Sequence, residues 1–399
     1  NQFFNKITSV EKISIDSFCE NKDTKEIDNF IKLNNIYSFK TKFKGIPIKK
    51  ISLFNIINQY KIKDVNRKTA YAIKQSYRQE VIQVLKNILA YQRLIDMLKP
   101  NIVIYNNGFY PLDNCIRNIA LKNNIKPYYF FGSNNHSKLN TRYQLFTNTT
   151  LDYWKFLRDI YRNSIKLKLS FNIIEENLDH LESYFNKKIS FCFSTSLKNI
   201  SIKEKLKINN KKIALITLSG EDELRISKIN GFCKNKNNYF NTQKEFLKFS
   251  IDYLTSKSDY YTIVRPHPRS FFSKDNILRD IDLEYIKNTC NHPNVFLCNP
   301  SNNISLYDIL KETNFVFNSW SSSGIEANLL GIPVLTCFPD YTSYPHDIDS
   351  FLTNSDDPSL IFDKFLKKRF SANRMLNAHK WRFIFSNLQH QPYLSTFAR

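Results

Sequence analysis

Residues 314–337 read NFVFNSWSSSGIEANLLGIPVLTC, and their pattern decides the fold. Phe315, Val316 and Phe317 form a short apolar run suited to a buried strand. Residues 318–324 are small and polar, as in a loop. Residues 325–330 have helical spacing, with Ile325, Leu329 and Leu330 on one side. Gly331 closes that helix, and Pro333, Val334 and Leu335 begin a second buried run. The loop of this strand–loop–helix–strand unit sets serine hydroxyls and free backbone N–H groups at a helix N-terminus, where an anion binds well. A single acid, Glu326, follows in the first helical turn. The central expectation is a phosphate-bearing ligand lying on that turn.

Similar units flank it. Residues 213–218 (IALITL), 260–264 (YYTIV) and 295–298 read as buried strands, 246–254 and 306–310 as helices. Three loops then leave the ends of parallel strands: 219–223 (SGEDE), 265–269 (RPHPR) and 318–324. Parallel strands put such loops on one edge of the sheet, where ligands bind. Residues 358–370 and 373–388 read as closing helices.

The first half is less regular. Ile46, Pro47 and Ile48 suggest a strand and 51–57 a buried segment. Residues 67–98 are helical, with Ala70, Ile73, Tyr77, Val81, Leu85, Ile88, Ile95 and Leu98 recurring three, four or seven apart, and Pro100 ends the run. Residues 102–105, 116–121 and 127–131 then make a strand–helix–strand unit. Residues 148–190 read as helices with exposed charge, and the Lys- and Asn-rich run 196–212 as an inter-domain linker. Elements alternate throughout, so the expected class is α/β with two doubly wound sheets: residues 1–205, residues 206–372, and a last helix, 373–399, crossing back to the first domain.

The chain has 399 residues and a formal net charge of +22, from 58 Lys and Arg against 36 Asp and Glu. That balance suits an acidic partner such as a nucleotide, a phospholipid surface or an anionic glycan. It equally follows from a composition inflated in Lys, Asn and Ile together. Without a basic helix or a run of five like charges, a nucleic-acid partner is not expected. Seven glycines leave no GxGxxG and no P-loop. The seven cysteines form no CxxC pair, so reduced core thiols of a cytoplasmic protein are expected rather than zinc or disulfide frameworks. The first residues lack the apolar core of a signal peptide, and no run approaches a membrane span. A soluble chain, at most peripheral at the inner face of an anionic membrane, is expected.

The chemistry centres on RPHPR. Two prolines hold the backbone around His267, which can donate to a phosphate oxygen as leaving-group charge develops, while Arg265 or Arg269 neutralises that charge. A structural histidine capping a strand end is the alternative. Ser321, Ser322 and Ser323 can bind phosphate or cap the helix. Glu326 can accept from ribose hydroxyls or simply complement the helix dipole. Glu221, Asp222 and Glu223 offer a general base, or a solvated turn. Asn107 and His136, with Asn134, Asn135 and Arg142, lie in loops of the first half that can line an acceptor cleft. The serines lie in no GxSxG elbow, which disfavours a hydrolase. The two DxD stretches, 280–282 and 347–349, follow no clear strand, so no metal site is expected.

Arg265-Pro266-His267-Pro268, then residues 318–327 (NSWSSSGIEA) and Gly331-Ile332-Pro333-Val334, resemble GT-B glycosyltransferases, particularly capsule and surface-polysaccharide transferases of the Kdo-transferase type. The resemblance covers about residues 260–340. It implies two Rossmann-like domains facing a cleft, with a metal-independent transfer needing no cofactor. It also implies a nucleotide-sugar donor, such as a CMP-activated acidic sugar, held by His267, Ser321, Ser322, Ser323 and Glu326. A glycan or lipid-linked glycan acceptor would enter past Asn107 and His136, with Glu221 or Asp222 as base. UDP-sugar 2-epimerases and CDP-glycerol glycerophosphotransferases share the pattern. The former open with a glycine-and-arginine turn absent here, and Trp320 stands where the latter carry a tyrosine. A non-catalytic binder of anionic glycan or nucleotide is the remaining alternative.

Overall fold

Strands buried on both faces need consecutive apolar residues, and the second half of the chain supplies them. The computed structural model describes residues 14–60, 62, 64–106, 110–131, 144–146, 150–164, 169–186, 194–231, 236–268, 281–342, 344–345, 348 and 350–387. The chain divides into two units, Asn1–Phe131 with Gln144–Thr150, and Gly132–Tyr143 with Leu151–Arg399.

The first unit contains α1 (Asn21–Leu33), a short antiparallel pair β1 (Lys42–Phe43) and β2 (Ile46–Pro47), then α2 (Ile48–Tyr60) and α3 (Tyr71–Leu98). β3 (Ile102–Tyr105), α4 (Pro111–Lys122), β4 (Lys126–Phe131) and β5 (Gln144–Phe146) follow. The periodic face of α3 is buried through Ile73, Tyr77, Val81, Leu85, Ile88 and Ile95, whereas Ala70 is its exposed N-cap and Leu98 is exposed. Lys99 ends it in the left-handed conformation just before Pro100. Among the described residues the sheet has three strands, β3-β4-β5, with β5 antiparallel.

The second unit begins with α5 (Thr150–Asn163), α6 (Phe171–Phe185) and the single turn α7 (Ile202–Lys205). The alternating series is β6 (Lys212–Thr217), α8 (Glu221–Ile229), α9 (Gln243–Thr255), β7 (Tyr260–Arg265), α10 (Ile281–Thr289), β8 (Val295–Leu297), α11 (Leu306–Glu312), β9 (Thr313–Asn318), α12 (Ser323–Leu329), β10 (Val334–Thr336) and β11 (Ser350–Phe351). Two helices, α13 (Pro358–Leu366) and α14 (Ala372–Asn387), close it. The sheet runs β11-β10-β9-β6-β7-β8, every pair parallel. Alternate strand residues enter opposite cores. Ala214, Ile216, Phe315 and Phe317 pack with Phe246, Phe338, Phe362 and Phe365 on one face. Ile213, Leu215 and Val316 pack with Tyr307, Ile309 and Leu310 on the other.

Part of the run 196–212 read above as linker, residues 196–205, is bound to the sheet's flank. Buried Asp308 accepts from the N–H groups of Lys198 (3.0 Å) and Ile200 (3.3 Å), and Glu312 from that of Lys203 (2.7 Å). These partners lie about a hundred positions away, so composition does not reveal them. The unit boundary accordingly falls before α5, not at residue 205. α14 packs on α12 and α6. It thus reaches a helix that the sequence reading assigns to the first domain, but that helix belongs to the second unit.

Gly331 closes α12 at φ +78°, its N–H donating to Asn328 O (2.9 Å) while Ile332 N–H donates to Ala327 O (3.0 Å). A Cβ there would also meet the Phe370 ring. Gly331→Ala should cost about 1–2 kcal/mol, the left-handed penalty, seen as a lower urea midpoint; an unchanged midpoint would mean the turn relaxes freely. Cys115, Cys290, Cys298 and Cys337 are buried free thiols, and Cys19 is an exposed one. Among the described residues no helix is long and apolar enough to cross a membrane.

Candidate functional site

β6 and β9 are the first and fourth strands of the second unit, and they lie side by side at the centre of its sheet. Strand order reverses here, so the loops leaving these two strands diverge and open a crevice at their carboxyl ends. The strand ends are tied across it. Thr217 Oγ1 donates to Asn318 Oδ1 (2.8 Å), Ser319 N–H to Thr217 O (3.0 Å) and Ser319 Oγ to Ser219 Oγ (2.9 Å).

Asn318 organises the serine loop from its fully buried position. Its Oδ1 also accepts from Ser321 N–H (3.1 Å), and its Nδ2 donates to Ser321 O (3.1 Å). An asparagine side chain can imitate a backbone turn in this way. The Tyr344 hydroxyl donates to the same Ser321 carbonyl (2.7 Å). Gly324 packs on the Asn318 amide so closely that a Cβ would lie 2.5 Å from Nδ2. Only glycine leaves that amide in place.

Most of the N–H groups at this turn are used by the loop's own bonding. Ser321 N–H is taken by Asn318, Ser323 N–H points to Ser321 Oγ (3.4 Å), and Gly324 N–H donates to Ser321 O (3.1 Å). Ile325 and Glu326 N–H donate to Ser322 O at 3.1 and 3.3 Å. α12 is only 7 residues long, which leaves little dipole to exploit. What the turn offers is hydroxyls. Ser322 stands at the N-cap without capping; its Oγ donates to Glu326 Oε1 (3.3 Å). Ser323 Oγ is buried and has no hydrogen-bond partner among the described residues. A buried hydroxyl without a partner costs free energy unless a ligand supplies one.

These serines face a cavity of about 240 Å³ whose other walls include Thr217, Arg265, His267, Tyr307 and Glu326. Six of the residues singled out from sequence therefore converge: Arg265, His267, Ser321, Ser322, Ser323 and Glu326. Arg265 ends β7 half-buried, its guanidinium donating to Ile304 O (3.1 Å) and Cys298 Sγ (3.4 Å). Burial pushes the Cys298 thiol pKa up, so it stays a neutral partner. His267 and Pro268 line the same cavity just beyond the strand.

Glu326 is only 8% exposed. Tyr307 Oη donates to its Oε2 (3.0 Å) and Ser322 to its Oε1. Burial raises its pKa above the ordinary glutamate value, against the pull of those hydroxyls and of the Arg382 and Arg265 charges. Its oxygens are thus already committed to protein hydroxyls, although a carboxylate keeps further lone pairs for a ligand.

Glu221 and Asp222 stand elsewhere. The stretch read as an acidic loop is the first turn of α8, where Glu221 pairs with Arg225 (3.3 Å) and Asp222 is buried. Acids favour a helix N-terminus, which explains the element. Neither is among the cavity-lining residues. Arg269, Asn107 and His136 lie outside the described residues, as do Asn134, Asn135 and Arg142. Tyr307 was not legible as a site residue, because it sits in the apolar run of α11.

Fold and site define a doubly wound α/β protein with an anion-suited cavity at its central crevice. No protein-family model matches the chain, and no curated protein matches it. Solved structures do resemble it. The beta Kdo 2,7 transferase KpsC of Thermosulfurimonas dismutans is 13% identical with a TM-score of 0.38, covering 75% of this chain and 86% of its own. The UDP-GlcNAc 2-epimerase of Neisseria meningitidis, bound to UDP-GlcNAc, is 14% identical with a TM-score of 0.37, covering 86% and 90%. That of Methanocaldococcus jannaschii, in complex with UDP-GlcNAc and UDP, is 12% identical with a TM-score of 0.36, covering 84% and 95%. At such values function has to be read from the site itself.

Proposed function

We propose that this chain is a GT-B glycosyltransferase that moves a sugar from a nucleotide donor to a glycan or lipid-linked glycan acceptor. The observation that carries the reading is the meeting of Arg265, His267 and the serine hydroxyls, with the orphaned Ser323 Oγ, around one cavity at the sheet's crevice. In this reading the donor's phosphates sit in that cavity. Arg265, already oriented by Ile304 O, neutralises them. His267 donates to the phosphate oxygen that gains charge as the glycosidic bond breaks, and Ser323 Oγ satisfies itself on a phosphate oxygen. The acceptor hydroxyl loses its proton to a carboxylate. The sequence reading assigns that step to Glu221 or Asp222, which open α8 outside the cavity lining. A CMP-activated acidic sugar such as Kdo is the donor to test first.

Thermal-shift titration with CMP, CDP, UDP and GDP tests the reading. One of them should raise Tm; a ligand at 100 times its Kd adds about 2.7 kcal/mol. Arg265→Ala should weaken that nucleotide about tenfold or more, since it removes a charge-assisted contact. His267→Ala should chiefly slow turnover. If no nucleotide stabilises the protein, the phosphate assignment falls. Turnover of a nucleotide sugar to its epimer without acceptor would make the chain an epimerase.

A further inference from the structure

A second cavity adjoins the start of α12. It is a chamber of about 280 Å³ formed by α6, α14, α12 and the segment after β10. The two share Tyr184, Ser322 and Glu326 as common walls. The chamber is aromatic, lined by Trp320, Tyr341, Tyr344, Trp381 and Phe385 besides Tyr184.

Its rings are not coplanar: Trp320 meets Tyr341 edge to face at 85°, and Trp381 is tilted 39° to Phe385. They enclose a space with several walls, not the flat slot that clasps a nucleobase. Its polar side chains are Glu326, Ser322, Arg382, His180 and Thr342, besides the tyrosine hydroxyls. Arg382 lies over the Phe385 ring and against His180, whose pKa burial and that guanidinium push down to about 4, so the imidazole is neutral. An apolar cavity with a few convergent polar groups is the usual form of a small-molecule site. A pyranose ring fits this chemistry: its C–H face lies on the negative face of an aromatic ring, and its hydroxyls reach the few polar groups at the edge. Tyr344 links the chamber to the phosphate side through its bond to Ser321 O.

We propose that the aromatic chamber holds the sugar ring of the donor, with Trp320 as a stacking face and Glu326 as the polar divider shared with the phosphate cavity. This rests on the nucleotide-donor reading above. The chain's three tryptophans give the readout. With Trp154→Phe as background, emission comes from Trp320 and Trp381 alone, both in the chamber wall.

CMP, UDP and GDP are each titrated against their conjugates CMP-N-acetylneuraminate, UDP-N-acetylglucosamine and GDP-mannose. The conjugate of whichever nucleotide binds should shift tryptophan emission, and the bare nucleotide should not. Ile325→Phe, which fills the chamber from a residue that does not line the phosphate cavity, should weaken the conjugate about tenfold, the scale of one lost ring contact, and leave the nucleotide unchanged. Unchanged nucleotide affinity certifies the fold; Thr342→Leu fills the chamber from the segment after β10 should Ile325→Phe misfold. Emission that shifts with the nucleotide alone would place the base in the chamber and overturn the assignment. Equal affinity of wild type and both filling variants for the conjugate would also overturn it, leaving the phosphate cavity standing. Absence of any nucleotide binding would instead remove the donor reading, and this assignment with it.

Discussion

Asn318→Ala should lower stability by about 2–4 kcal/mol, because it strands one buried and one half-buried donor at about 1–3 kcal/mol each. The Thr217 hydroxyl and the Ser321 N–H both donate to its Oδ1, and Ser321 O loses the Nδ2 donor. Thr217 is 2% exposed, so water does not replace the lost acceptor. The change should also abolish nucleotide-dependent stabilisation, since the serine loop loses its internal template. Asn318→Asp separates the two effects. It keeps the acceptor for Thr217 and Ser321 N–H but sets an oxygen against the Ser321 carbonyl, so binding should suffer more than Thr217's packing. Urea unfolding and thermal shift measure both. A loss below about 0.5 kcal/mol would show that the loop rebuilds without this side chain.

Replacing Glu326 has the other large effect, and its sign depends on the replacement. Glu326→Ala removes the acceptor of the Tyr307 hydroxyl, a residue 3% exposed, and merges the two cavities. It should cost about 1–3 kcal/mol and weaken any nucleotide sugar. Glu326→Gln keeps the shape, with an oxygen for one hydroxyl and an N–H₂ that the other can accept. The wild-type carboxyl has its folded pKa raised above 4.5 by burial. Stability from a raised acid is complete below the unfolded pKa and is lost as pH rises through the folded value. Glutamine does not titrate. The Tm advantage of Glu326→Gln should therefore be absent below about pH 4.5 and grow as pH rises above it. A difference independent of pH would mean that the carboxyl ionises in the fold as easily as in water.

The second-unit strands were legible because parallel strands buried on both faces carry apolar residues at every position, as in IALITL and YYTIV. Arg265, His267 and the serines were legible because they directly follow such strands. Other features depend on partners far along the chain. The acids of α8 looked like a loop although they suit a helix start, and Leu224 and Ile226 were the available signal. The Lys- and Asn-rich run hid its attachment to Asp308 and Glu312. The aromatic chamber draws Tyr184, Trp320, Tyr341 and Trp381 from separate elements, and no local spacing marks them as neighbours. In the first unit, β5 is three residues long and antiparallel, below what periodicity resolves.

The backbone strapped along α11 also governs how the protein can be divided. A fragment begun at Leu206, where composition invites a cut, would deprive Asp308 of both amide donors and uncover a carboxylate that is 0% exposed in the intact chain. It would also strip α14 of its α6 neighbour. The second unit is self-sufficient only when the helices preceding its first strand are inherited with it.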